Sequence, residues 1–122
     1  MRELPRMNSE ERLAYLEGVK NSGELGPGWF DLIFMINKMV EAVDPEYVIE
    51  QVKEKFGGLR YYLDSKIDEK ERMLLYRVVH QMQNFSLIIC EQCGLRDQTV
   101  STGKAKSSGR VLTLCSACRE NS

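Results

Sequence analysis

What this 122-residue chain lacks narrows it first. It has no surplus of charge: 17 Lys and Arg stand against 18 Asp and Glu, a net charge of −1. No global field therefore draws it onto nucleic acid or an anionic membrane. It has no long apolar run either. The longest, Leu32 to Ile36, falls far short of the roughly 18 residues of a membrane span. "MRELPRMNSEERL" lacks the apolar stretch of a signal peptide. A cytosolic protein in a reducing compartment is expected, and in such a setting cysteines seldom form disulfides.

Catalytic signatures are scarce as well. The one histidine, His80, lies off the apolar face of its predicted helix and reads as a partly exposed helix residue. No serine, cysteine or second histidine is spaced in sequence to suggest a triad. "EGVKNSGELGPGW" is rich in glycine but lacks the strand, phosphate loop and helix of a nucleotide site. Gly26, Pro27 and Gly28 read instead as a turn that aims Trp29 into the core. Repeats are absent.

What is present reads as an α+β chain. Its length allows one domain, or one with an appendage, and two parts are expected: a helical unit over 1–86 with a β-hairpin at about 47–64, and a cysteine module over 87–122. Asn8 with Glu11 forms a capping-box pattern, opening a helix with Leu13, Leu16 and Val19 on one side. A second helix runs from Trp29 to Val43, apolar around most of its circumference and so central in the core, until Asp44-Pro45 stops it. "DEKE" at Asp68 repeats the capping pattern and begins a third helix to about Ser86, with Leu75, Val78, Val79, Met82 and Phe85 inward.

Between the second and third helices lies "QVKEKFGGLRYYL". A two-residue turn at Gly57-Gly58 places Phe56 opposite Leu59, and a four-residue loop would keep the same faces. One side of the ribbon then carries Val52, Glu54, Phe56, Leu59, Tyr61 and Leu63. The other carries Gln51, Lys53, Lys55, Arg60, Tyr62 and Asp64, with Lys55 opposite Arg60. Facing like charges are mildly destabilising, so this side suits an anion, with Tyr62 stacking on a base. Equally, Glu50, Glu54 or Asp64 can neutralise the pair and leave only a wet face. A second basic group, Lys104, Lys106 and Arg110, falls on the Gly/Ser/Lys segment Ser101 to Gly109, which reads as a mobile loop.

The strongest chemical pattern is C-x2-C-x21-C-x2-C, formed by Cys90, Cys93, Cys115 and Cys118. Two residues between ligands let both sulfurs of a tight turn face one ion, and the spacing is close to that of paired zinc knuckles. Gly94 suits the first turn because it tolerates a positive φ. "RVLTL" leads into the second turn, with "QTV" as its expected strand partner. Four thiolates fill a tetrahedral shell and leave no place for water or substrate, so the site reads as structural zinc. Iron suits the same ligands, whereas a thioredoxin-like pair would leave the second Cys-x-x-Cys without a role. Residues 87–122 hold few large apolar side chains, so metal must supply much of their folding energy.

"QVKEKFGGLRYYL", followed by "CEQCG" and "TLCSAC", resembles a family of small uncharacterised proteins of phage and bacterial genomes. A Trp-containing helix, a Q-V-K-E-K-F-G-x-L-R-x-Y stretch and a Cys-pair tail define the likeness, carried here by Trp29, Gln51 to Tyr62, Cys90, Cys93 and Cys115. It implies a phage or prophage context, where small zinc proteins commonly bind a host protein or nucleic acid. The expected function is a non-enzymatic interaction module. A host protein is the first partner, because nucleic-acid domains are usually basic and this chain is not. The alternative is nucleic acid, bound by Lys53, Lys55, Arg60, Tyr62, Lys104, Lys106 and Arg110.

Overall fold

The computed structural model describes residues 6–122. The first five residues, which open the expected 1–86 unit and the segment read for a leader, lie outside it. The described residues form an α+β fold of four α-helices and two antiparallel hairpins.

Helix α1 (Ser9–Ser22) begins as its sequence dictates: Asn8 Oδ1 accepts from Glu11 N–H at 2.8 Å, and Glu11 Oε1 accepts from Asn8 N–H at 3.0 Å. Its inward face differs from expectation. Leu16 and Arg12 are buried, whereas Leu13 is exposed. The Arg12 guanidinium binds Glu41 Oε2 at 2.8 Å, donates to the carbonyls of Met7, Pro45 and Tyr47, and lies 4.5 Å from the Tyr47 ring centroid. These partners satisfy its donors, which is what permits a buried cation.

A short 3-10 turn (Pro27–Trp29) leads into α2 (Phe30–Val43), the central helix. Trp29, Ile33, Ile36 and Val40 are fully buried, each such side chain contributing roughly 1.5–3 kcal/mol by leaving water. The Trp29 indole N–H is shared between the carbonyls of Ser86 and Ile89, at 3.1 and 3.0 Å.

Strands β1 (Val48–Lys55) and β2 (Gly58–Asp64) form the first hairpin. Its two faces segregate as the alternation requires, but its register differs from expectation: Lys55 faces Gly58, Glu54 faces Leu59 and Lys53 faces Arg60. The turn residues are therefore Phe56 and Gly57, at φ +52° and +83°. Both positive values suit the tight hairpin turn whose twist matches the strands, where Asn-Gly is the favoured pair. Gly57 meets the second position, and Gly58 is left to the strand. Phe56 is not on the buried face; it stands at the tip, 74% exposed. Its left-handed backbone costs about 1–3 kcal/mol.

The register shifts between Ile49 and Gln51. The bulge removes Glu50 from the alternation and turns Ile49 inward beside Leu63. A two-stranded sheet is all edge, and here side chains from the helices occupy its free donors. Tyr15 Oη accepts from Val52 N–H, Ser86 Oγ from Leu59 N–H and Gln83 Oε1 from Tyr61 N–H.

Helix α3 (Glu69–Asn84) follows, without a side-chain cap from Asp68, and passes into a 3-10 turn (Phe85–Ile88). Leu75 and Val79 are buried, but Val78 and Phe85, expected inward, are exposed. The second hairpin pairs β3 (Ser101–Lys104) with β4 (Val111–Leu114), and α4 (Ser116–Glu120) closes the chain. Thus "STGK", not "QTV", pairs with "VLTL", and the first part of the expected mobile loop is strand. No described helix is long and apolar enough to cross a membrane.

Candidate metal centre

The four cysteine sulfurs lie within 4.8 Å of one another. A tetrahedral ion with Zn–S bonds near 2.3 Å requires sulfurs about 3.8 Å apart, and Cys93 Sγ stands 3.7 Å from Cys115 Sγ. The cluster fits one metal ion, with Cys90 and Cys115 buried, Cys118 intermediate and Cys93 exposed.

Local backbone chemistry shapes each pair. In the first, Gly94 N–H donates to Cys90 O at 2.8 Å, Cys90 N–H donates to Leu95 O at 2.8 Å, and Gly94 takes φ +82°. In the second, Cys115 is the N-cap of α4 and its sulfur accepts from Cys118 N–H at 3.5 Å.

Glu91 joins the pairs. Its N–H donates to Thr113 O at 2.9 Å, and its carboxylate accepts from Thr113 N–H at 3.0 Å. Thr113 lies two residues before Cys115, so this pair of hydrogen bonds sets the first knuckle against the strand that delivers the second. Burial pushes the Glu91 carboxyl above its ordinary range, although the Thr113 N–H works the other way. Arg119, next to Cys118, donates to the carbonyls of Ser101, Gly103, Lys104 and Leu112 and so ties α4 across β3 and β4. Neither Glu91 nor Arg119 carries a sequence signal beyond its position beside a cysteine of the cluster.

The thiols differ in how their surroundings treat the charged form. Burial pushes Cys90 up, but backbone N–H groups of Cys115, Cys93 and Gln92 outweigh it and bring the thiol down to about 7. Cys118 is pushed up to about 12, first by burial and then by the neighbouring thiols. Packing four thiolates together without a counter-charge is unfavourable, and a divalent ion removes that conflict.

The "GPG" turn proves to serve this centre as well as Trp29. Gly28 N–H donates to Glu91 O at 2.7 Å. A Cβ on Gly28 would stand 2.1 Å from Cys90 O, and one on Gly26 would stand 2.1 Å from Glu91 O. Only glycine permits this approach.

The two basic groups separate. Among the described residues, Lys53, Lys55 and Arg60 have no carboxylate within ion-pair distance. Lys53 Nζ lies 5.6 Å from the centroid of the half-exposed Tyr62 ring. Glu54 alternates to the opposite face of β1 from Lys53 and Lys55, and its carboxylate pairs with Arg110 at 3.2 Å. Lys106 pairs with Glu120 at 3.4 Å, and Lys104 ends β3 opposite Val111. Of this second group only Arg110 reaches the hairpin, where it lines a concavity of about 290 Å³ with Glu54, Lys55, Phe56 and Val111. His80 is exposed and lines another, of about 250 Å³, with Tyr62 and Tyr76.

Compared with known proteins, the chain matches no family model, no curated protein and no solved structure.

Proposed function

We propose that this chain is a non-enzymatic interaction protein in which a structural zinc ion on Cys90, Cys93, Cys115 and Cys118 closes a ribbon-like module, and that the first hairpin binds nucleic acid. Zinc is the natural occupant of a closed four-thiolate shell built from two short knuckles. The observation that carries the partner is Lys53 facing Arg60 across the hairpin, beside Lys55, with none of the three in an ion pair among the described residues. Such a cation pair is mildly unfavourable in the free protein and becomes favourable when phosphates arrive. Composition alone points to a protein; the clustering of Lys53, Lys55 and Arg60 on one side of the hairpin supports nucleic acid instead.

Salt dependence tests it. The zinc-loaded chain is titrated against labelled single-stranded and duplex DNA, with affinity measured from low to physiological salt. Binding should weaken steeply as salt rises. Arg60→Glu with Lys55→Glu should abolish it. No binding to either form at low salt would end this reading.

The second reading is a host-protein partner, with the chain modulating a host enzyme or defence system in the phage or prophage setting that the resemblance implies. Exposed Phe85, Leu87 and Ile88 favour it, as does an apolar groove of about 440 Å³ between α2 and α3, lined by Met39, Val43, Leu74 and Val78. A host protein captured at high salt by the Arg60→Glu variant as well as by the parent would support it.

A further inference from the structure

We infer that this face takes unpaired nucleotides, with Phe56 and Tyr62 as stacking platforms at the two ends of a cationic strip. The inference rests on the nucleic-acid reading above and narrows it.

Phe56 occupies a turn position whose positive φ of 52° favours asparagine or glycine, and it stands 74% exposed. The core gains little from so exposed a ring, so nothing inside the fold explains a large aromatic at that position. Its use lies outside. Beyond Phe56 along the polar face come Lys55, then the Lys53–Arg60 pair, then Tyr62, which is 42% exposed and faces Gln51. At about 3.3 Å per residue the strip is about 16 Å long, the span of a few nucleotides. Aromatic rings interleaved with cations are the pattern of single-strand binding, where each base offers a π-face and each phosphate a charge. In a duplex the base faces are covered by their neighbours, so Phe56 and Tyr62 would have nothing to stack on and only the cations would act. Two exposed rings at opposite ends of one cationic strip therefore point to a single strand.

The hairpin tip is also preorganised. Thr113 Oγ1 donates to Gly57 O at 2.6 Å, and Arg110 pairs with Glu54 at 3.2 Å. The backbone on either side of Phe56 is thus tied to the cysteine module, which lowers the ordering cost of binding.

The test uses the full zinc-loaded chain, a fluorescein-labelled oligothymidine, and the same strand annealed to oligoadenosine, both at low salt by fluorescence anisotropy. The single strand should bind more tightly than the duplex. Phe56→Asn and Tyr62→Ala should each weaken single-strand binding about tenfold while duplex affinity changes less than about twofold. Phe56→Trp should restore it. The melting temperature of Phe56→Asn should equal or exceed that of the parent, which separates lost stacking from lost folding. If that variant instead unfolds, Tyr62→Ala decides. Equal affinity for both forms, or single-strand binding unmoved by the ring substitutions, overturns the inference while leaving nucleic-acid binding intact. No binding of either form removes both.

Discussion

Thr113 Oγ1 donates a 2.6 Å hydrogen bond to the carbonyl oxygen of Gly57, joining the tip of the first hairpin to a strand of the second. Thr102 Oγ1 lies 2.7 Å from the same hydroxyl and supplies its remaining partner. The cysteine module is therefore no loose tail. It touches the helical part at the hairpin tip, at the Gly26–Gly28 turn and at Trp29, and its predicted properties follow from those three contacts.

Metal removal should act locally first. Freshly purified protein should contain about one zinc per chain by mass spectrometric metal analysis, and Cys90→Ser or Cys115→Ser should lose it. On strong chelation, amide resonances of residues 87–122 should collapse toward random-coil positions while those of α1, α2 and α3 stay dispersed. Trp29 shares its N–H with Ile89 O, so its fluorescence should shift as the first knuckle loosens. Unchanged dispersion in the tail would refute the metal's structural role.

Gly28→Ala should destabilise the protein by about 3 kcal/mol, because its Cβ would collide with Cys90 O and with Gly94 N at 2.5 Å. Gly18→Ala is the control: a Cβ there meets nothing within 4 Å, and helix propensity should stabilise it by about 0.5–1 kcal/mol. Urea unfolding measures both. Similar effects for the two would contradict the close approach at Gly28.

Arg12→Ala should cost about 3–5 kcal/mol, since it strips the charge partner from Glu41 and the donors from three carbonyls. Arg12→Met should cost less, because its stem still fills the space over Tyr47. Thermal unfolding of the two variants against the parent checks the order.

High pH should unfold the chain through its buried phenols. Burial raises both Tyr47 and Tyr61 far above the ordinary value of 10.0, and their hydroxyls lie 2.7 Å apart. Raised folded values mean that the unfolded chain loses these protons first, so stability is full below pH about 10 and falls as pH rises beyond it. Ultraviolet titration should show two of the five tyrosines ionising only with unfolding. Five tyrosines titrating together in the folded protein would refute this.

Much of the fold is legible from local pattern. The capping box at Asn8, the apolar circumference of α2, the two faces of the hairpin and the four-cysteine spacing each depend on neighbours within a few residues, or on a periodicity that survives any register. At the hairpin turn two local solutions are nearly equal. Gly57-Gly58 and Phe56-Gly57 both make a two-residue turn, and both keep the same faces, so alternation could not choose between them. The choice moved Phe56 from the buried side to the tip and paired Lys53, not Lys55, with Arg60. Likewise "QTV" has the better strand propensity, yet "STGK" pairs with β4 because Arg119 binds the carbonyls of Ser101, Gly103 and Lys104 and the Thr102 hydroxyl meets Thr113.

By itself the sequence determined the pairing of the cysteines, the first three helices and the sidedness of the hairpin, because each is written in spacing along the chain. Which cations stand unpaired, why Gly26 and Gly28 must lack side chains, and how Arg12 and Glu91 are satisfied in the interior were decided only by tertiary structure. These depend on groups tens of residues apart meeting at one point, and no local periodicity encodes such a meeting.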